Sequence, residues 1–234
     1  MPDTQYSGWK KEYTELTGIP LVYDNTVVPA PVRPFFQTVS EFGGRTAFDP
    51  VLEVGCGKGR VGMHLLSHGF RMIAFDCVEN AVSDFRKAVR KNRLEKKARL
   101  FTADMFERWD VAAVAAGAVF AVTVLENVIT ETEEAFFTRE VDRVLMPGGL
   151  FVVQCYREED GYYGPRVRKS PQRDQGVLVD ENNGISFKIR QPSQIAKLFA
   201  PGFRIVSRKT LNFTDTKYGR LYSRSSELMI FRKQ

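Results

Sequence analysis

The sequence predicts an α/β fold, a doubly wound, seven-stranded, mostly parallel sheet with an antiparallel C-terminal strand pair and a helical N-terminal extension. Three observations carry this expectation. From residue 50 onward, short apolar runs alternate with helical patterns, the order that a parallel sheet with crossover helices requires. The first apolar run breaks into a glycine-rich turn, Gly55-Cys56-Gly57-Lys58-Gly59, that opens directly into a helix. The chain ends on two strand-like segments, 203–206 and 228–231, placed to pair antiparallel at a sheet edge.

The elements follow in order. Tyr6, Trp9, Tyr13 and Leu16 fall at helical spacing, and Pro20, Pro29, Pro31 and Pro34 then favour an extended path. Phe35, Val39 and Phe42 suggest a second short helix ending at Gly43-Gly44. The first strand is the run Val51-Leu52 through Val54, and the helix after it carries Val61, Leu65 and Leu66 and stops at Gly69. A second strand, 71–76, precedes an amphipathic helix marked by Ala81, Val82, Phe85 and Val89. Strands are expected over 99–102 and 119–125. Thr130 and Glu133 have capping-box spacing for a helix whose inner face is Phe137, Val141, Val144 and Leu145. Pro147-Gly148-Gly149 ends that helix before the strand 150–155. The polar stretch 157–175 exceeds an ordinary connection, so it is mobile or functional. Residues 177–179 and 185–188 form a hairpin across Asn183-Gly184, and a short helix starts at Pro192. The expected organisation is a lid or appendage over 1–44 and one domain over 45–234, with a substrate-side insertion at about 156–190.

Composition narrows the class. A chain of 234 residues, 43% hydrophobic and 26% charged, is long enough to bury one α/β core, and two full domains would be crowded. No run approaches the ~20 apolar residues of a membrane span, and the first residues lack a secretory signal's apolar core, so the expected address is cytoplasmic with no membrane partner. Cys56, Cys77 and Cys155 lack CxxC spacing, which predicts free thiols and no zinc site. A net charge of +6 admits an anionic or nucleic-acid partner without demanding one.

The segment Val51-Leu52-Glu53-Val54-Gly55-Cys56-Gly57-Lys58-Gly59-Arg60 carries the chemistry. Alternating glycines after a buried strand let backbone approach a bound nucleoside and turn sharply into the next helix. Here the sequence resembles class I S-adenosylmethionine-dependent methyltransferases, whose fold is Rossmann-like. The resemblance covers residues 50–155. It implies S-adenosylmethionine as cofactor, S-adenosylhomocysteine as product, and an acid at Glu53 near the cofactor's ammonium group. It further implies Asp76 at the ribose, Asp104 at the adenine amino group, and cofactor contacts from Gly55, Cys56, Gly57, Gly59, Cys77, Met105 and Leu125. Leu145-Met146-Pro147-Gly148-Gly149-Leu150 matches the family's turn before the fifth strand. Two departures are visible. Phe120-Ala121 stands where many members carry an acid, and Leu125-Glu126-Asn127-Val128 differs from the Asn/Asp-Pro-Pro-aromatic sequence of many nucleobase amino-methyltransferases. A rival remains open: Gly57, Gly59 and Gly62 also satisfy GxGxxG, with Asp76 placed for a dinucleotide ribose, as in a Rossmann-type NAD(P)-dependent oxidoreductase.

In a doubly wound sheet, ligands bind beyond the carboxyl ends of the strands, which places Glu126, Asn127 and Tyr156 near the acceptor. Glu126 is the candidate catalytic residue, as base or ammonium partner, or else it satisfies backbone amides. Trp9 and Tyr13 either close over the site as an aromatic lid or pack their helix onto the domain. His64 and His68, four apart on the helix after the glycine turn, read as a surface pair without a third ligand, so no metal is expected. Basic residues cluster at 86–97, as a solvated helix face, and at Arg166, Arg168, Lys169 and Arg173, where RNA or an acidic peptide can bind. The leading expectation is a small-molecule acceptor, with N-methylation preferred because no general base is evident. RNA, a protein, or a catalytically silent partner subunit are the alternatives.

Overall fold

The computed structural model describes residues 3–14 and 28–234. Leu16 and Pro20 lie outside them. The described elements are α1 (Asp3–Thr14), α2 (Val32–Glu41), β1 (Val51–Val54), α3 (Arg60–Ser67), β2 (Met72–Asp76), α4 (Glu79–Lys91), β3 (Ala98–Thr102), β4 (Ala116–Val122), α5 (Glu131–Val144), β5 (Leu145–Tyr156), α6 (Tyr163–Lys169), β6 (Val177–Val179), β7 (Ser186–Lys188), α7 (Pro192–Phe199), β8 (Phe203–Lys217) and β9 (Arg220–Lys233). The main sheet runs β3-β2-β1-β4-β5-β9-β8, and β6 pairs with β7 separately. Strands β1 to β5 are parallel, whereas β9 is antiparallel to both β5 and β8.

Alternation along the central strands sorts side chains into two layers. Ala118 and Phe120 of β4 join α2, α3 and α4 in one core through Phe35, Val61, Leu65 and Phe85. Val119 and Ala121 join α5 and α7 in the other through Phe137, Val141 and Phe199. Both faces of the parallel strands are therefore covered, which is why they appear as continuous apolar runs. The strand order reverses between β1 and β4, and the crevice beyond their carboxyl ends is where such sheets bind ligands.

Most elements lie where the sequence places them, and five differ for identifiable reasons. Pro31 and Pro34 do not extend the chain: Pro31 caps α2 in a helical conformation, and Pro34 sits in its first turn, where its missing N–H costs nothing. Strand β4 ends at Val122 rather than 125, because Thr123 adopts φ +55° and Leu125–Asn127 then form a 3-10 turn. The Pro147-Gly148-Gly149 turn lies within β5 as an irregularity, the pairing jumping from Ala116↔Leu145 to Ala118↔Leu150. The stretch 157–175 contains α6, which Tyr162, Tyr163 and Val167 bind into a small separate core with Ile185 and Phe187. Finally, β8 and β9 are 15 and 14 residues long. Their outer halves pair with each other beyond the end of β5 at Tyr156, so both faces carry polar residues and the apolar pattern that marks a strand is missing. Two local predictions hold closely: the Thr130–Glu133 capping box forms in both directions, and Gly69 takes φ +90° after α3.

Candidate active site

The site begins at the turn after β1. Gly55, Gly57 and Gly59 hold φ values of +63°, +53° and +83°, a region that side chains disfavour. Asp76, at the end of β2, fixes the turn with both carboxylate oxygens, accepting from the Gly57 N–H (2.9 Å) and the Val78 N–H (2.9 Å). A Cβ on Gly57 would come within 2.5 Å of the Tyr13 hydroxyl oxygen, so the turn is open only to backbone-thin neighbours. Gly59 has another purpose. A Cβ there would meet the Phe85 ring at 2.2 Å, so Gly59 lets α4 pack against the start of α3.

Glu53 lies beneath this turn, 3% exposed, and its Oε2 has no hydrogen-bond partner. Burial pushes its carboxyl up to about 8, against the lowering influence of the Gly62 amide and Arg60. A shift of that size corresponds to roughly 5 kcal/mol against the ionised form, enough to keep the side chain mostly protonated at pH 7. Gly62 makes room for it, since a Cβ there would stand 2.8 Å from Oε2.

A cavity of about 470 Å³ opens from the turn across the carboxyl ends of β1 and β4. It brings together most of the residues singled out from sequence: Glu53, Gly55, Cys56, Gly57, Asp76, Cys77 and Met105, together with Trp9, Tyr13, Glu126, Asn127 and Tyr156. Gly59, Asp104 and Leu125 do not line it. Asp104 turns one oxygen to the Phe106 N–H (2.9 Å), while its neighbours Ala103 and Met105 reach the cavity. Leu125 is fully buried in the α5 core because the 3-10 turn replaces the expected strand end.

Glu126 is 1% exposed. Its Oε1 accepts the Tyr156 N–H at 2.8 Å, tying the turn after β4 to the end of β5, and its Oε2 is buried without a partner. Burial raises its carboxyl to about 7, with the Tyr156 amide pulling the other way. Glu126 thus satisfies a backbone amide with one oxygen and leaves the other without a partner.

Helix α1 docks by a polar face that apolar periodicity could not reveal. Tyr6 is exposed, whereas Gln5, Gly8 and Glu12 are buried. Gln5 pairs with the Ser186 backbone in both directions (2.9 and 2.9 Å), and Trp9 Nε1 donates to Asn127 Oδ1 at 3.2 Å. Glu12 accepts from Tyr218 (2.7 Å), Asn183 (3.0 Å) and Lys217 (3.3 Å). Breaking a buried ion pair from one side costs about 3–5 kcal/mol, a cost that undocking of α1 relieves. Glu12→Ala is therefore expected to expose Lys10 and Lys11 to trypsin under conditions that leave the wild-type helix intact. An unchanged cleavage pattern would count against this docking.

The other basic and histidine features are peripheral. The cluster at 86–97 is mostly exposed, with Arg86 half-buried and donating to Leu100 O. Arg166 lies 3.8 Å from the Tyr162 ring centroid and donates to Tyr162 O, so one member of the second cluster is structural. His64 is buried rather than on the surface, and only His68 is exposed. Among the described residues no group of His, Cys, Asp and Glu is arranged to hold a metal, and no helix is long and apolar enough to cross a membrane.

Fold and site together define a doubly wound α/β protein with a nucleoside-sized cleft at its glycine turn. Residues 51–149 match the family described as a methyltransferase domain, which supports a class I S-adenosylmethionine-dependent methyltransferase. The S-adenosyl-L-methionine-dependent Diels-Alderase iccD of Talaromyces variabilis is 29% identical over 106 residues, 44% of this chain and 35% of that protein. The human thiol S-methyltransferase TMT1A is 32% identical over 125 residues, 51% of this chain and 47% of that protein. The chain thus spans less than half the length of these two curated relatives. Among solved structures, an S-adenosylmethionine-dependent methyltransferase of Methanosarcina mazei superposes with a TM-score of 0.71 at 17% identity, over 88% of this chain and 99% of that one. The CcbJ methyltransferase of Streptomyces caelestis does so with a TM-score of 0.62 at 18% identity, over 88% and 97%. These two likenesses show the fold. Family and fold imply S-adenosylmethionine as cofactor, and the unpartnered Glu53 Oε2 beside an open glycine turn fits its ammonium group.

Proposed function

We propose that this protein transfers the methyl group of S-adenosylmethionine to a small-molecule acceptor, and that the acceptor atom is a thiol sulfur. The observation that carries this is Glu126 Oε2, buried, unpartnered and on the cavity wall, on a carboxyl raised to about 7. A base works best when its pKa lies near that of the proton it removes, and a thiol near 8.5 is a far closer match than an alcohol. The sequence expectation of N-methylation rested on the lack of a base, and Glu126 supplies one. The naming of a 32%-identical relative as a thiol S-methyltransferase supports the same reading.

In this proposal Glu53 holds the cofactor's ammonium, Asp76 the ribose, and Cys77 and Met105 flank the base. Bound there, the cofactor supplies a methyl group on a sulfonium sulfur, which leaves as the neutral thioether of S-adenosylhomocysteine. Glu126 Oε2 takes the thiol proton, and the freed sulfur electron pair forms the new S–C bond as the sulfonium–methyl bond breaks. Trp9 and Tyr13 of α1 cover the cavity as a lid, excluding water and holding the nucleophile in line.

A radiolabelled-methyl assay against benzyl mercaptan, benzylamine, benzyl alcohol, RNA and acidic peptides tests the reading. Label should enter the mercaptan; incorporation into benzylamine or a polymer alone would replace the thiol with that acceptor. Glu53 gives a separate prediction. Its raised pKa leaves it protonated at pH 7, and an ammonium partner drives ionisation, so S-adenosylhomocysteine binding should release close to one proton. Calorimetry in buffers of different ionisation enthalpy should show that release in wild type and lose it in Glu53→Gln. Equal proton release in both proteins would remove Glu53 from the ammonium site.

A further inference from the structure

The acceptor side of the cavity holds a second unsatisfied group. Arg224, on β9, lines the cavity with its side chain 2% exposed. Its Nε donates to Asp160 Oδ2 at 2.7 Å and its Nη1 reaches Asp215 Oδ2 at 3.4 Å, but Nη2 is buried with no partner. The guanidinium lies 4.4 Å from the Tyr156 ring centroid and 5.5 Å from that of Tyr163, both rings of the same wall. Tyr156 also gives its N–H to Glu126, so one residue joins the candidate base to the unpartnered donor. A buried donor left unmade is costly, and a charged one more so. Two residues of the cavity lining thus each keep a buried atom without a partner, the acceptor Glu126 Oε2 and the donor Arg224 Nη2, beside an aromatic wall.

The sign of the missing partner follows from the charges already present. Asp160 is fully buried against Arg224, and Asp215 faces it as well. Lys217, the other cation of this wall, is matched by Glu12. The positive charge is already balanced, so the remaining N–H calls for an oxygen with a lone pair and not for another full negative charge.

We propose that Arg224 Nη2 is a specificity contact for a neutral carbonyl-type oxygen on the acceptor, borne close to its nucleophilic atom and attached to an apolar, aromatic-sized body. The inference rests on the reading that this cavity holds the methyl acceptor. It adds what that acceptor must carry besides the thiol. The contact positions the acceptor, whereas Glu126 touches the proton in flight.

Binding to the protein saturated with S-adenosylhomocysteine tests this without turnover. The probes are 2-phenylethanethiol and 2-mercapto-1-phenylethanone, which differ by a carbonyl in place of a methylene, and the anionic 2-mercapto-2-phenylacetate. Wild type should hold the ketone roughly tenfold or more tighter than the alkyl thiol, as expected of a hydrogen bond to a charged donor. Arg224→Lys, which keeps a cation beside Asp160, should bring that ratio close to one, with folding checked by its S-adenosylhomocysteine affinity. Equal affinity of wild type for ketone and alkyl thiol overturns the proposal, and so does a ratio that Arg224→Lys leaves intact. Tightest binding of the phenylacetate overturns the neutral oxygen. A ketone preference that depends on Arg224, without methylation of either thiol, supports this contact while refuting thiol transfer.

Discussion

Replacement of Glu126 by Gln is expected to lower methyl transfer to benzyl mercaptan at pH 7 by about 10²–10³-fold, the range for loss of a positioned general base. The substitution keeps the side chain's shape and an oxygen for the Tyr156 N–H, so affinity for S-adenosylhomocysteine should hold within about twofold, as expected when ground-state cofactor binding is untouched. The sign of the pH dependence follows from the raised carboxyl. The base is competent only when ionised, so the wild-type rate should climb as pH rises through about 7 and then level. The variant should lack that step and follow the thiol's own ionisation, which narrows the gap at alkaline pH. A variant with wild-type rates across this range would leave Glu126 a structural carboxylate.

Asp76→Ala should cost more than one ligand contact. The carboxylate clamps the Gly57 and Val78 amides, so its removal frees two buried backbone donors and loosens the glycine turn while also deleting the proposed ribose partner. Cofactor affinity should fall by about 100-fold or more, in line with loss of several hydrogen bonds, two of them charge-assisted. Asp76→Asn restores at most one acceptor oxygen and should fall between. Titration with S-adenosylhomocysteine reads both, and wild-type affinity in Asp76→Ala would remove the assignment.

The fold was legible where burial writes itself into composition. Strands β1 to β5 are apolar because helices cover both faces, and the helices between them carry one apolar stripe. The glycine turn was legible for a related reason, since backbone with φ above zero admits few other residues. What escaped notice was held by polar contacts. Gln5 and Glu12 dock α1 through carboxylate and amide groups, so the expected stripe of Tyr6, Trp9 and Tyr13 named only part of the buried face. The outer halves of β8 and β9 carry polar residues on both faces and lack apolar alternation, so the pattern does not mark Lys217 and Arg224 as buried cavity residues. Strand β4 lies three residues earlier than its apolar run predicts, because nothing in Thr123 announces a left-handed backbone. That shift placed Leu125 in the core, and it turned Glu126 and Asn127 into the cavity together. The sequence places Glu126 beyond a strand end, while its unpartnered oxygen is a property of packing.

The central claim is that the turn after β1, with Glu53 below it and Asp76 beside it, binds the adenosine and amino-acid ends of S-adenosylmethionine. Calorimetric titration of the purified protein with S-adenosylhomocysteine and with NAD tests it most directly. Saturable one-to-one binding of S-adenosylhomocysteine is expected, with none of NAD at the same concentrations. Binding of NAD in place of S-adenosylhomocysteine, or of neither, would contradict it.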